Sequence, residues 1–232
     1  MLVCIISQCR MTVTVTNEYE WSNIPQCVEA IVVPDDSCNE DYFRGIDLSR
    51  FPNLQELSIG AYCFKYVTRL RIVGLTKLEK VTIEAYSFSE EDGYLRDYKP
   101  NNCFIVKDCP SLRELRTGNY SFIDYSSCII ENLPSLERLE IGWLSPYRGT
   151  MHGCFWYASL ELRSTNGSSL THIDLRRLRI LNIGRDAFYR CASVAIGGMS
   201  DHDTLWEQTY RNWCQWNGEK APYHLETMQQ LL

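Results

Sequence analysis

The chain has 232 residues, 45% of them hydrophobic and 22% charged, a balance typical of a globular protein able to build its own core. Its formal charge of −6 argues against a nucleic-acid partner, because phosphate binding calls for a basic surface and no basic cluster is evident. No apolar run approaches the ~20 residues that a membrane-spanning helix needs, so no membrane span is predicted.

In chain order, the opening "MLVCIISQC" has no basic residues ahead of its apolar stretch and meets Arg10 early, which predicts no secretory signal. Residues 1–45 read as a partial or capping segment, with "IVVPDDSCNEDYFRGIDLSRF" (31–51) feeding the first clear repeat.

From residue 46 a phrase recurs in register on Leu-x-x-Leu-x-Ile-Gly. It reads "LQELSIG" (54–60), "LEKVTIE" (78–84), "LRELRTG" (112–118), "LERLEIG" (136–142) and "LRILNIG" (178–184). The first four copies start 24, 34 and 24 residues apart, and the fifth follows at 42. Glu84 for Gly and Thr117 for Ile depart from the phrase, and the fourth copy lacks the Phe that follows the others. A second phrase follows the anchors as "AYCF" (61–64), "AYSF" (85–88), "NYSF" (119–122) and "DAF" (186–188), whereas the fourth copy reads "WLSPY" (143–147). A third, apolar and alternating, is "LRIVGLTK" (70–77), "FIVKDCPS" (104–111), "CIIENLPS" (128–135) and "SLELRS" (159–164).

Units of this period cannot bury their own apolar face and must stack on one another. The alternation in "xLxIG" predicts a short strand with Leu and Ile inward, and the third phrase predicts a second strand on the opposite side of each unit. The Phe of "YSF" is expected to fill the bend between them. The fold class predicted is a β-rich repeat solenoid over 46–196, with two ladders of short parallel strands and few helices. "SEEDGYLRDYKPNN" (89–102) and "LSPYRGTMHG" (144–153) lack periodicity and read as inserted loops on one side. Residues 197–232 drop the repeat, and "TLWEQTYRNWCQW" (204–216) predicts a helical tail or cap, with "HLETMQQLL" (224–232) adding a further helix.

These phrases resemble leucine-rich repeats, and more narrowly the BspA-like class, whose units run Leu-x-x-Leu-x-Ile…Ile-Gly-x-x-Ala-Phe-x-x-Cys. "IGRDAFYRC" (183–191) matches the tail of that pattern, and "IGAYCF" (59–64) matches it less fully. The resemblance implies a right-handed leucine-rich-repeat solenoid. For some relatives it also implies an extracellular adhesion or surface-contact role.

Chemistry is sparse in the sequence. There is no GxSxG, HExxH, GxxxxGK[ST] or GxGxxG, and the histidines at 152, 172, 202 and 224 are widely spaced. "SDHD" (200–203) and "EED" (90–92) read as solvated polar segments. Eleven cysteines occur without a CxxC pair, which predicts no metal site and mostly reduced, apolar core thiols. No cofactor is expected. The odd cysteine count and the missing signal favour the cytoplasm, with the cell surface as the alternative. Asn119 and Asn166 head formal glycosylation sequons, which only a secreted chain uses.

What remains is surface. With the repeat leucines inward, their neighbours form two outward columns on the front ladder. One is Glu56, Lys80, Glu114, Arg138 and Ile180, and the other is Ser58, Thr82, Arg116, Glu140 and Asn182. Alternating sign in the first column predicts charges that satisfy one another from unit to unit. The expected function is a non-catalytic module that binds another protein through Glu56, Ser58, Lys80, Thr82, Glu114, Arg116, Arg138, Glu140 and Asn182 and through the inserted loops. The alternatives are an adhesion module or the scaffold part of a larger protein.

Overall fold

The structure is a computed structural model that describes residues 11–90, 99–144, 153–156, 158–163, 180–183, 187 and 194–196. Nearly all regular structure among these residues is short β-strand. The strands are β1 Thr12–Thr14, β2 Ala30–Val33, β3 Gly45–Asp47, β4 Glu56–Ile59, β5 Arg69–Val73, β6 Lys80–Ile83 and β7 Cys103–Lys107. They continue as β8 Glu114–Gly118, β9 Ser127–Glu131, β10 Arg138–Leu144, β11 Ser159–Arg163, β12 Ile180–Ile183 and β13 Val194–Ile196. The helical content described is α1, Glu18–Ser22, and one 3-10 turn at Leu48–Arg50.

The strands form two sheets in which every pairing is parallel. The first runs β1-β2-β4-β6-β8-β10-β12, and the second runs β3-β5-β7-β9-β11-β13. From β2 onward the chain therefore visits the sheets alternately, leaving one strand in each. The alternation in sequence sets the burial: in β4, β6 and β8 the residues Leu57, Val81 and Leu115 are fully buried and their neighbours are partly exposed. Leu70, Phe104 and Cys128 do the same in the second sheet, and all six belong to one continuous core.

The turns after β4, β6 and β8 are built in the same way. Tyr62, Tyr86 and Tyr120 take φ of 58°, 62° and 59°, and Phe64, Phe88 and Phe122 take 55°, 59° and 58°. This left-handed region is unfavourable for aromatic residues, so the turn is held by what its side chains gain. Phe64, Phe88, Phe122 and Phe155 stack inside the core at centroid spacings of 5.2, 4.7 and 4.7 Å. Tyr62, Tyr86 and Tyr120 stack on the outside at 4.7 and 4.8 Å with nearly parallel rings. Between these two columns a hydroxyl ladder joins the units. Ser87 Oγ donates to Gly60 O at 2.7 Å while accepting from Cys63 N–H at 3.1 Å, and Ser121 Oγ repeats this with Glu84 O and Ser87 N–H.

Gly118 follows from the close approach of the units: a Cβ there would meet the Ala85 backbone nitrogen at 2.3 Å. Thr117, the departure from Ile in the third copy, is fully buried, and its hydroxyl lies 3.5 Å from Cys154 Sγ and accepts from Gly142 N–H at 3.4 Å.

The β-rich character, the parallel strands in two ladders and the scarcity of helix agree with the sequence reading. The helical tail expected over 197–232 lies outside the described residues, as do most of the two inserted loops. Within 1–45, β1 and β2 join the first sheet, and β3, the edge strand of the second, begins at Gly45. Ile31 and Val33 pair with Leu57 and Ile59, so Val28, Ile31 and Val33 follow the spacing of the later repeats. That spacing is visible in "VEAIVV", but Pro34 stands where the later copies carry Gly or Glu, which hides the match.

Candidate functional site

The pairing register places the expected columns on one face of the first sheet. Glu56 is opposite Lys80, Lys80 opposite Glu114, Glu114 opposite Arg138, and Arg138 opposite Ile180. Ser58, Thr82, Arg116, Glu140 and Asn182 align in the same way. Asn182 is placed by its register position alone. The same register carries Ala30 and Val32 of β2, and Thr12 and Thr14 of β1, onto these columns, so the face turns from charged to small and uncharged toward the N-terminal strands.

The charges do not pair uniformly along the first column. Lys80 Nζ lies 3.0 Å from Glu56 Oε1, with both side chains near half exposure. Arg138 instead turns along its own strand to Glu140, Nη1 to Oε1 at 3.2 Å, and Arg116 Nε reaches the other oxygen of Glu140 at 2.5 Å. Glu140 is only 3% exposed, so a nearly dry carboxylate is held between two guanidinium groups. The expected alternating ladder is thus one exposed pair and one buried three-residue cluster. Glu114 sits between them and joins neither. Thr82 Oγ1 is shielded from water without a hydrogen-bond partner. Beyond β6, partial burial raises the pKa of the Glu84 carboxyl, against the lowering effect of nearby Arg116.

The second sheet repeats the pattern more weakly. Arg71 lies 3.6 Å from Asp47, Lys107 Nζ lies 2.9 Å from Glu131, and Ile105 and Ile129 are aligned and half-buried between them.

Other candidates resolve as structural. Asn119 is 4% exposed and Ser121 fully buried, so this sequon is packed inside a turn and presents no acceptor for glycosylation. Asn166, the histidines and "SDHD" lie outside the described residues. Of the "EED" run, only Glu90 is described, and it pairs with Lys99. Cys38, Cys63, Cys109, Cys128 and Cys154 are free and buried, Cys103 is free and half-buried, and Cys27 is disulfide-bonded. Burial pushes the thiols of Cys38 and Cys154 up to about 12, and those of Cys63 and Cys109 up to about 11, which removes them from nucleophilic chemistry near neutral pH. No group of three or more His, Cys, Asp and Glu side chains suited to a metal ion occurs among the described residues. No helix described is long and apolar enough to cross a membrane. No family model, curated protein or solved structure matches the chain.

Proposed function

We propose that the chain is a right-handed leucine-rich-repeat solenoid of the BspA-like class that binds another protein, without catalysis, through the outer face of its first sheet. Support for the solenoid comes from strands that alternate between two parallel sheets and from a turn repeated with the same backbone at Tyr62/Phe64, Tyr86/Phe88 and Tyr120/Phe122. The observation that carries the binding reading is the register of Glu56, Lys80, Glu114 and Arg138 beside Ser58, Thr82, Arg116 and Glu140. It sets polar side chains at fixed spacing on a rigid surface, where they need little ordering before a partner arrives. Glu114 is the charge on this face with the least internal compensation, and it lies at the centre of the column.

The test is quantitative crosslinking of the intact protein in its native extract, with Glu114→Lys and Ser58→Arg tested alongside. Recovery of the bound protein is expected to fall for both variants while their far-UV circular dichroism is unchanged. Recovery equal to that of the unmodified chain in both would remove the sheet face as the binding surface.

A further inference from the structure

The net negative charge of this protein is concentrated in one part of it. Residues 11–62 contain nine carboxylates and two arginines, a balance of −7, while the rest of the chain nets +1 to give the total of −6. Both arginines are occupied: Arg44 lies over the Tyr66 ring at 5.6 Å, and Arg50 donates to Trp21 O and stacks on Phe51. The large hydrophobic side chains exposed among the described residues fall in the same stretch. They are Met11, Tyr19, Tyr42 and Tyr62, at 67%, 79%, 67% and 48% exposure.

Hydrogen bonds join the three segments that carry Tyr19, Tyr42 and Tyr62. Cys38 N–H donates to Thr16 O at 3.0 Å, which brings the 36–42 segment against the start of α1. Asn39 Nδ2 donates to Tyr62 O at 2.8 Å, and Asp36 N–H donates to Ala61 O at 2.9 Å. Tyr42 sits among Glu18, Glu40 and Asp41, whose charges add to desolvation in raising its phenol pKa. Glu40 is half-buried, and its Oε2 is shielded from water without a hydrogen-bond partner. Tyr62 is the first ring of the outer stack. The position before it in the ladder is taken by Asp36, which has the same left-handed backbone, φ 56°. One face of the Tyr62 ring is covered by Tyr86, and the other adjoins a carboxylate position instead of a further ring.

We propose that the surface formed by Glu18, Tyr19, Asp36, Glu40, Tyr42 and Tyr62 docks an arginine- and lysine-rich segment of a partner protein. The Tyr42 phenol hydrogen-bonds Glu18, but no ion pair joins Glu18, Asp36 or Glu40 to a cation among the described residues. Exposed phenol rings beside such carboxylates offer a cation both ring-face attraction and charge pairing. Arginine fits better than lysine, because its planar, weakly hydrated guanidinium lies flat on a ring while its N–H groups reach a carboxylate. This surface is separate from the sheet face proposed above. It rests on that reading only in taking the chain to be a binding protein.

Fluorescence anisotropy of the full chain with a labelled oligo-arginine peptide tests the proposal, with oligo-lysine and oligo-glutamate of equal length as comparisons. Oligo-arginine is expected to bind more tightly than oligo-lysine, with affinity falling as salt rises, and oligo-glutamate is expected not to bind. Asp36→Asn with Glu40→Gln should weaken oligo-arginine binding about tenfold, and Tyr19→Ala with Tyr42→Ala by a similar factor. Glu79→Gln with Glu137→Gln removes the same number of charges elsewhere and should leave binding unchanged. The proposal is overturned if oligo-arginine fails to bind, if the Glu79/Glu137 variant loses as much affinity as the Asp36/Glu40 variant, or if the tyrosine variant binds normally. Thermal melts confirm that each variant is folded. Glu114→Lys should retain the peptide whatever it does to the sheet-face partner, so the two readings fail independently.

Discussion

Each Tyr-x-Phe turn puts two aromatic residues in the left-handed region, at a cost of about 1–2 kcal/mol per residue. The stacked phenylalanines offset that strain by burying large apolar surface in contact with one another. Phe88, 1% exposed, has a stacked ring on either side, Phe64 and Phe122. Phe88→Ala is expected to destabilise the protein by about 3–5 kcal/mol in urea unfolding, and a loss below ~1 kcal/mol would show that the stack is not what holds the turn. The buried thiols make a second residue-scale expectation. Cys38 and Cys154 have folded pKa values raised to about 12, so the neutral thiol favours the fold. That contribution is complete below the unfolded thiol value of ~8.5 and is lost as pH rises through the folded value. Urea midpoints followed from neutral pH into the alkaline range should fall from about pH 8.5 upward, and Cys38→Ala should lessen the fall. The sequence showed that Phe fills the bend, since the aromatic recurs at a fixed offset from each Leu-x-x-Leu anchor. It could not show the left-handed backbone, because Tyr and Phe carry no local signal for positive φ and the stacking that sustains it is entirely between units.

At the scale of the strand, the register of β4, β6, β8 and β10 was legible because the Leu-x-x-Leu-x-Ile anchor recurs in each unit and a one-residue slip would expose its buried face. The way the charges pair was not. Arg138 bonds along its own strand to Glu140 in preference to crossing to Glu114, and that choice depends on how deeply Glu140 is buried, a property that no alternation of sign records. The two ion-pair systems should therefore respond differently to loss of the cation. Lys80→Ala removes half of an exposed pair and is expected to cost under about 1 kcal/mol. Arg116→Ala leaves the buried Glu140 with Arg138 alone and is expected to cost about 3 kcal/mol. Denaturant unfolding of the two variants checks the order, and equal losses would mean that Glu140 is better solvated than its 3% exposure indicates. The β2 unit was legible only as part of a partial or capping segment, for a related reason. Val28, Ile31 and Val33 keep the spacing, but small or uncharged residues replace the charged neighbours that mark the later copies.

For the molecule as a whole, the proposed solenoid makes stability a matter of neighbours, so units should be removable in register. Tyr62 and Tyr86 occupy equivalent places 24 residues apart. Deleting residues 62–85 takes out β5 and β6 and brings β4 beside β8 and β3 beside β7. The shortened chain is expected to keep a β-type circular dichroism spectrum and a cooperative melt at lower midpoint. A chain that fails to fold would mean that the two sheets depend on long-range closure, against the solenoid.

The outer tyrosine column has one further consequence. Tyr62, Tyr86 and Tyr120 stack with nearly parallel rings at 4.7 and 4.8 Å, close enough for their electronic transitions to couple. The protein thus carries its own optical gauge of stacking: near-ultraviolet dichroism from this column reports the alignment of three successive units, and it fades when any one of them slips, before the backbone signal is lost.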